Sequence, residues 1–475
     1  MISKHVIENK TKLTQLFHNS SDLVFYELET LANNHALIVY IDGLIDKRAL
    51  NEFVIMPLLN NDISPKEIKS SIYLAEIKEI FKLKEVISEL VNGHVVLFNE
   101  DIDYAYVLKL CQYEKRSVNE SSTEQVIKGP KEAFVEDLFT NKTLIRRIIR
   151  NRNLVFEDFV FGKQTNTQVS IVYINGIVNQ DILAELKARL HKINIDAILD
   201  VHYIEEYLDD APKSLIRTVY NTEKPDVLAG KILEGRIGVL CDGSPNAITL
   251  PKIFIEDIMT PEDYYLKPLF GTYLRIIRFI AFFISILLVG VYISLVNYHQ
   301  EMIPTPLLIS LAGQREGVPF PSFLEGLIMI FFFEIMKEAG LRLPKPIGQT
   351  VTLIGGLVIG QAAVEAGLVS AIMVIIVSAS GISEFVNPSF RDLIVMYRMI
   401  FIILGGLFGL FGIVCGFIIM TFHLISLKSF GVPYLFPIAP YDKEGMRDFL
   451  RREPLKKLNY RPKYIADKES RRRNK

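Results

Sequence analysis

Residues 276–296 read IIRFIAFFISILLVGVYISLV, and residues 400–425 read IFIILGGLFGLFGIVCGFIIMTFHLI. Each run has the length of a bilayer-spanning helix, for which about 20 apolar residues suffice. The region around them, from Leu269 to Ser429, is almost continuously apolar and breaks repeatedly at Gly and Pro. It nevertheless keeps eight acidic residues. A charge at membrane depth costs roughly 3 kcal/mol even on the mildest scales, so a plain lipid anchor would not retain Glu325, Glu334, Glu338 and Glu365. The combination points to a membrane-embedded assembly with a polar pathway or polar contacts between subunits.

Charge is unevenly distributed around this middle. Residues 1–270 carry a net −9, residues 271–441 a net +1 and residues 442–475 a net +7. The three cysteines, Cys111, Cys241 and Cys415, are far apart and match no disulfide or zinc spacing. The first thirty residues lack the apolar core of a signal peptide, so insertion is expected to begin near residue 276, leaving the acidic front in the cytosol. Lys267, Arg275 and Arg278 before the first run fit that orientation.

The front carries an internal duplication. Residues 36–46 read ALIVYIDGLID and residues 170–179 read SIVYINGIVN. Helix-like stretches follow at Lys47–Leu58 and Gln180–Leu190. A second pair, VISELVNGHVVLF (86–98) and VLAGKILEGRIGVL (227–240), reads as helix, turn at Gly93 or Gly235, and buried strand. Two α/β subdomains are therefore expected, 1–128 and 129–265, followed by a membrane domain at 266–430 and a basic tail at 431–475. Asp42-Gly43 and Asn175-Gly176 fit a strand-to-helix corner, and equally a hairpin turn. The basic cluster Arg146, Arg147, Arg150 and Arg152 suits a salt-bridged helix face or a phosphate site.

Five apolar stretches are visible: 276–296, 320–336, 347–364, 368–382 and 400–425. Five crossings would leave the basic tail outside, against the orientation rule. One stretch is therefore expected to be re-entrant, Phe320–Met336 first and the split pair Ile347–Ile382 second. On a helix, Val351, Ile354, Val358, Gln361 and Glu365 share a face with Ile347. An apolar face ending in an amide and a carboxylate suits a pore with a hydrophobic constriction and an acidic, cation-favouring mouth. It also suits a helix packed on lipid whose Glu365 lies in a headgroup-level turn. Gly356 and Gly360, and the stripe Gly405, Gly409, Gly412 and Gly416, mark close helix contacts. Glu325, Glu334 and Glu338 have candidate ion-pair partners in Lys337, Arg342 and Lys345. No catalytic constellation, metal-ligand spacing or nucleotide loop is present in the sequence, and no cofactor or nucleic-acid partner is expected. The tail suits anionic lipid headgroups.

Seven segments resemble the A subunits of GerA-type spore germinant receptors, in the family's order. They are GPKEAFVEDLFTNKTLIRR (129–147), ILEGRIGVLCDGSP (232–245), MTPEDYY (259–265), QREGVPFPSFLEG (314–326), EAGLRLPKPIGQ (338–349), VIGQAAVEAGLVS (358–370) and SFGVPYLFPIAP (429–440). The resemblance implies a multi-pass protein of the inner membrane of a bacterial endospore, with soluble domain and tail cytosolic. It also implies a homo-oligomer with a B subunit resembling an amino-acid transporter and a C subunit lipoprotein. The A subunits are expected to surround a cation channel that opens when the B subunit senses nutrient, with the Pro344–Gln361 segment lining it. The family's arginine triplet is Arg146-Arg147-Ile148 here, which leaves a role for the third arginine without its residue. Two alternatives remain open: the paralogous stage V sporulation channel subunit, and a sensor or scaffold whose α/β domain itself binds ligand.

Overall fold

A computed structural model describes residues 2–29, 34–60, 68–112, 124 and 126–467, apart from the side chains of residues 68, 70, 345, 346, 349–354, 357 and 359. The first unit contains α1 (Val6–Leu16), strands β1 (Leu23–Glu29), β2 (His35–Ile41) and β3 (Ile77–Ile80), α2 (Leu83–Val91), β4 (Val95–Asn99) and β5 (Ala105–Leu108). Its sheet runs β1-β2-β4-β5-β3, antiparallel throughout. Alternation along the strands sends Leu37, Val39 and Val96 toward α1 and α2. It sends Ile38, Val95 and Leu97 toward the helical segment 47–60. Both faces are covered, so ALIVYI reads as an unbroken apolar run.

The second unit repeats the plan. It contains α3 (Leu138–Ile148), β6 (Leu154–Phe161), β7 (Thr167–Ile174), α4 (Gln180–Leu190), α5 (Val201–Leu208), β8 (Tyr220–Thr222), α6 (Pro225–Leu233), β9 (Ile237–Cys241) and β10 (Ala247–Leu250). Its sheet order, β6-β7-β9-β10-β8, is that of the first with equivalent strands substituted. The corners match as well. Gly43 and Gly176 take φ of +82° and +83°, a region open to glycine. Asp46 and Asn179 then cap the following helices through Ala49 N (3.0 Å) and Asp181 N (3.0 Å). Both corners are thus strand-to-helix turns, and the hairpin alternative fails.

Beyond the hinge 251–267 lie α7 (Pro268–Tyr298), α8 (Thr305–Arg315), α9 (Ser322–Arg342), α10 (Lys345–Glu365), α11 (Ala371–Phe385) and α12 (Arg391–Ser426). Two segments, Pro268–Tyr298 and Pro388–Ser426, are long and apolar enough to cross a membrane. The second is not one rod. Gly409 has φ 62° and ψ −152°, and a β-carbon on Gly416 would fall 2.5 Å from Leu404 Cδ1. Twelve residues apart on a straight helix is about 18 Å, so α12 is a hairpin folded at Gly409. The contacts fix the direction of each helix relative to the α/β units. Ser322 meets Asn297, and Ser370 N donates to Glu325 Oε1 (2.6 Å), at the end far from the α/β units. Asn387 Nδ2 bonds Arg278 O (2.8 Å) at the near end. The chain therefore runs outward in α7, inward in α9, outward in α10, inward in α11, and out and back through α12. Ser214 Oγ meets His423 Nε2 (2.9 Å) where the chain returns to the second unit. The stretch 400–425, read from the sequence as one long span, is not straight: it is folded at Gly409 into two antiparallel helical runs.

The tail is correspondingly not a free basic arm. Lys428–Ser429 pairs with Val432–Pro433, Ser429 Oγ donates to Thr218 O (2.6 Å), and Asp467 N donates to Ile177 O (2.8 Å). Arg452 is buried, and Arg451 and Lys457 both pair with Glu453. Arg471–Arg473 lie outside the described residues.

Candidate functional site

The turn Leu343–Pro344 ends α9, and Pro346 sits in the first turn of α10, where its missing N–H costs nothing. The two helices then fold together closely: a β-carbon on Gly348 would fall 2.5 Å from Gly340 O. Gly355 and Gly356 rest against Met336 of α9, and Gly360 against Val374 of α11. The Gly356/Gly360 pair thus serves contacts inside the chain. Val358, Gln361 and Glu365 are exposed, Val358 to 54%. Gln361 Nε2 donates to Glu365 Oε1 (2.9 Å). The side chains of Val351 and Ile354 lie outside the described residues.

The acids of α9 divide into three environments. Glu338 is exposed and pairs with Arg342 (2.7 Å) and Arg391 (3.4 Å). Glu334 belongs to a buried network: Lys337 Nζ contacts Glu334 (2.5 Å) and Glu384 (2.6 Å), while Arg398 contacts Glu334 and Glu384 (3.0 Å). Two acids and two bases from α9, α11 and α12 close into a neutral set, as buried charges require. Lys337 is therefore a structural cation. Glu384 and Arg398 complete the set, and the sequence reading missed them; both are charges inside apolar stretches, which was the available signal. Glu325 is fully buried, and its Oε1 accepts from Ser370 N and Ser370 Oγ at the first turn of α11. Of the candidate partners, Lys337 pairs with Glu334 and Arg342 with Glu338, while the side chain of Lys345 lies outside the described residues.

The stripe of four glycines does not survive as a stripe, because Gly409 is the fold in the hairpin. Gly405 lets α12 approach α7, where a β-carbon would meet Gly290 O at 2.5 Å. Gly412 and Gly416 face Leu404 across the hairpin. All four glycines still serve close backbone approach, within one chain.

Arg275 and Arg278, read as membrane flanks, form a knot at the root of α7. Arg275 Nε donates to Asp263 Oδ2 (2.9 Å) and Nη1 to Asp448 Oδ1 (2.9 Å). Arg278 Nη2 donates to Asp263 Oδ1 (2.5 Å) and Nη1 to Ile258 O (2.6 Å). Burial pushes the Asp263 carboxyl up, but the two guanidiniums outweigh it and hold it below the usual range. Tyr264 Oη donates to the other oxygen of Asp448 (2.6 Å). One knot therefore ties the hinge, the first long helix and the tail. Arg146 forms the corresponding tie between the α/β units, donating to both oxygens of Asp22 (2.7 and 2.9 Å) and to Leu154 O (3.0 Å). The salt-bridged reading of that basic cluster holds for Arg146.

Among the described residues, no group of three His, Cys, Asp or Glu side chains is placed to hold a metal. What the geometry provides is a helical bundle locked by buried ion pairs, one helix with an exposed apolar-to-acidic surface, and a rigid tie back to a duplicated α/β front.

The chain matches the model of the Bacillus/Clostridium GerA spore germination protein family over residues 11–464. It is 39% identical to spore germination protein KA of Bacillus subtilis (strain 168), over 100% of this chain and 89% of that one. It is 36% identical to the uncharacterized membrane protein YfkQ of the same organism, over 97% and 91%. The crystal structure of the N-terminal domain of the A subunit of the Bacillus megaterium spore germinant receptor GerK3 covers 53% of this chain and 97% of that chain, with 30% identity and a TM-score of 0.43. The chain belongs to the GerA family of spore germination proteins.

Proposed function

We propose that this protein is the channel-forming A subunit of a spore germinant receptor, sitting in the inner membrane of the spore as a multi-pass protein with its α/β units and tail in the cytosol. Copies assemble around a conduit lined by α10, and the conduit releases cations when a transporter-like B subunit, accompanied by a lipoprotein C subunit, senses nutrient. The basic residues beyond the packed part of the tail meet anionic lipid. The observation that carries the reading is the exposed face of α10. Val358, Gln361 and Glu365 are left uncovered by the rest of the chain, and Glu365 has only a neutral amide partner, Gln361, whereas Glu334, Glu338 and Glu384 of the bundle are paired with cations. A carboxylate facing lipid is costly; facing a shared aqueous axis it is not, and a ring of carboxylates favours cations. The return of the chain to Ser214 of the second unit at the end of α12 supports placing the tail on the side of the α/β units.

The test is ion flux through the purified protein in liposomes, with and without its co-purified partner subunits. Glu365→Gln is expected to reduce cation preference, and Val358→Ala to raise the resting leak. Absence of flux in every combination, from protein shown to be inserted and oligomeric, removes the channel reading.

A further inference from the structure

A sizeable cavity lies outside the helical bundle. About 460 Å³ of open space is enclosed by α6 of the second unit, the hinge Ile253–Tyr265 and the tail 436–462. That volume is in the range of small-molecule sites. Its walls are rich in rings: Tyr220, Tyr264, Tyr265, Phe436, Phe449 and Tyr460. Five acidic and five basic residues also line it, but nearly all of these charges are spent within the protein. Glu256 holds Lys231 and Arg236 (2.8 Å), Asp448 holds Arg275, Glu444 holds Arg447 (3.2 Å), and Lys457 turns to Glu453 (3.4 Å). Asp226 accepts from Tyr265 Oη (2.9 Å), and Arg461 donates to Leu233 O (2.8 Å). With Glu234 on Arg236 (2.6 Å) and Asp226 beside Lys224 (3.5 Å), nine of the ten charges face an opposite charge within the protein, and the cavity offers chiefly aromatic faces to an occupant. One wall is also thinner than the fold requires. Gly230 lies inside α6 at an ordinary helical φ, and a β-carbon there would meet nothing within 4 Å. Helix interiors favour Ala over Gly, so the glycine leaves that stretch of wall open where a side chain would project into free space.

We propose that this cavity binds an uncharged, ring-bearing small molecule between the second α/β unit and the tail. Rings of such a molecule stack on tyrosine and phenylalanine faces, whereas a charged one meets lining charges that are nearly all paired already and is disfavoured. The position is consequential. Tyr264 and Asp448 line the cavity and also hold Arg275 at the root of α7, so an occupant touches the tie between the soluble front and the helices. The site is separate from the exposed face of α10, and its occupancy stands or falls independently of ion flux.

The chain contains no tryptophan, so Tyr460→Trp in the purified full-length protein reports from the cavity alone. Nicotinamide, an uncharged ring that quenches indole fluorescence, is the probe; nicotinate, an anion, and 1-methylnicotinamide, a pyridinium cation, are its charged comparators. Saturable quenching by nicotinamide and linear, collisional quenching by both comparators are expected. Adding Gly230→Phe fills the cavity from the open wall and should weaken the saturable phase by at least about tenfold, while Gly230→Ala leaves it in place. If Gly230→Phe lowers the unfolding midpoint, Leu455→Phe on the tail wall carries the same expectation. Linear quenching by nicotinamide, saturation by either charged comparator, or indifference to both cavity-filling variants overturns the proposal.

Discussion

In the first α/β unit the two cores, one around Val39 and Val96 and the other around Ile38 and Leu97, end at the edge of the unit. In the second, the core around Ile171 and Val239 continues through Ile253 and Ile258 into Phe282 and Ile286 of α7 and Tyr434 of the tail. Phe254, Phe282 and Phe390 stack within 4.7–5.8 Å at that seam. The first unit meets the second chiefly through polar contacts: the Arg146–Asp22 pair, Ser21 N to Phe156 O (2.9 Å), and Asn175 to His18 (2.9 Å). Two copies of one topology have thus acquired different duties. The second is continuous with the helical bundle and is placed to move with it, while the first is a rider held by a buried ion pair.

That contrast is most severely tested at the two knots. Asp263→Ala would leave Arg275 and Arg278 buried without their shared carboxylate, and breaking a buried pair this way typically costs about 3–5 kcal/mol. Loss of the folded full-length protein, or a steep drop in its thermal midpoint in detergent, is the expected result. Asp22→Ala strands Arg146, which is 1% exposed, but leaves it two carbonyl acceptors, so a loss nearer about 3 kcal/mol is expected. Its signature is different: limited proteolysis should release the first unit while the second stays attached to the helices. If both variants unfolded the chain as one cooperative block, the rider description would be wrong.

A smaller effect follows from the hairpin, since the tail reaches the second unit only because the chain turns back at Gly409. A side chain at φ 62°, ψ −152° is strained by about 1–3 kcal/mol. Gly409→Ala is therefore expected to lower the midpoint by a few degrees, and to expose the 428–467 segment to protease before the first unit is released. An unchanged midpoint and a protected tail would argue for a continuous helix.

How much of this was legible in the sequence differs along the chain for physical reasons. ALIVYID and SIVYIN announced the duplication because strands buried on both faces are continuously apolar, and the following glycines mark corners that recur at the same place. The fold at Gly409 was not legible. GxxxG spacing is defined on a straight helix, and hydropathy does not register the sign of φ. Arg275 and Arg278 looked like membrane flanks because one of their partners, Asp448, lies far away in sequence. The tail looked free because its net charge outweighed the signal in SFGVPYLFPIAP, whose apolar residues pack on the second unit. On α10 periodicity put Val358, Gln361 and Glu365 on one face, and all three are exposed, while the ion-pair network needed Glu384 and Arg398, which sit on other helices.

The finest distinction between the two units is at one equivalent corner. In the first, the end of α2 and the strand after Gly93 place Glu89 beside His94 (3.6 Å), a partly exposed pair. In the second, the end of α6 and the strand after Gly235 place Lys231 and Arg236 on the single carboxylate of Glu256. Burial would raise Glu256, but Arg236 and Lys231 outweigh it and hold the carboxyl at about 2. Burial also dominates at Lys231, which shares its anion with Arg236 and is lowered to about 8. The signs follow from proton linkage. The stability Glu256 contributes is complete above the ordinary carboxylate range and drains as pH falls toward about 2, costing on the order of 1 kcal/mol near about pH 4. Lys231 acts the other way, because the unfolded chain binds more protons between its folded value of about 8 and the ordinary lysine value, so stability rises with pH across that window. Glu256→Gln should therefore flatten the acid limb of thermal midpoint against pH. Glu89→Gln, at the matching corner of the first unit, should leave that limb unchanged. An acid limb that persisted in Glu256→Gln would place the titrating group elsewhere and erase the electrostatic difference between the two units.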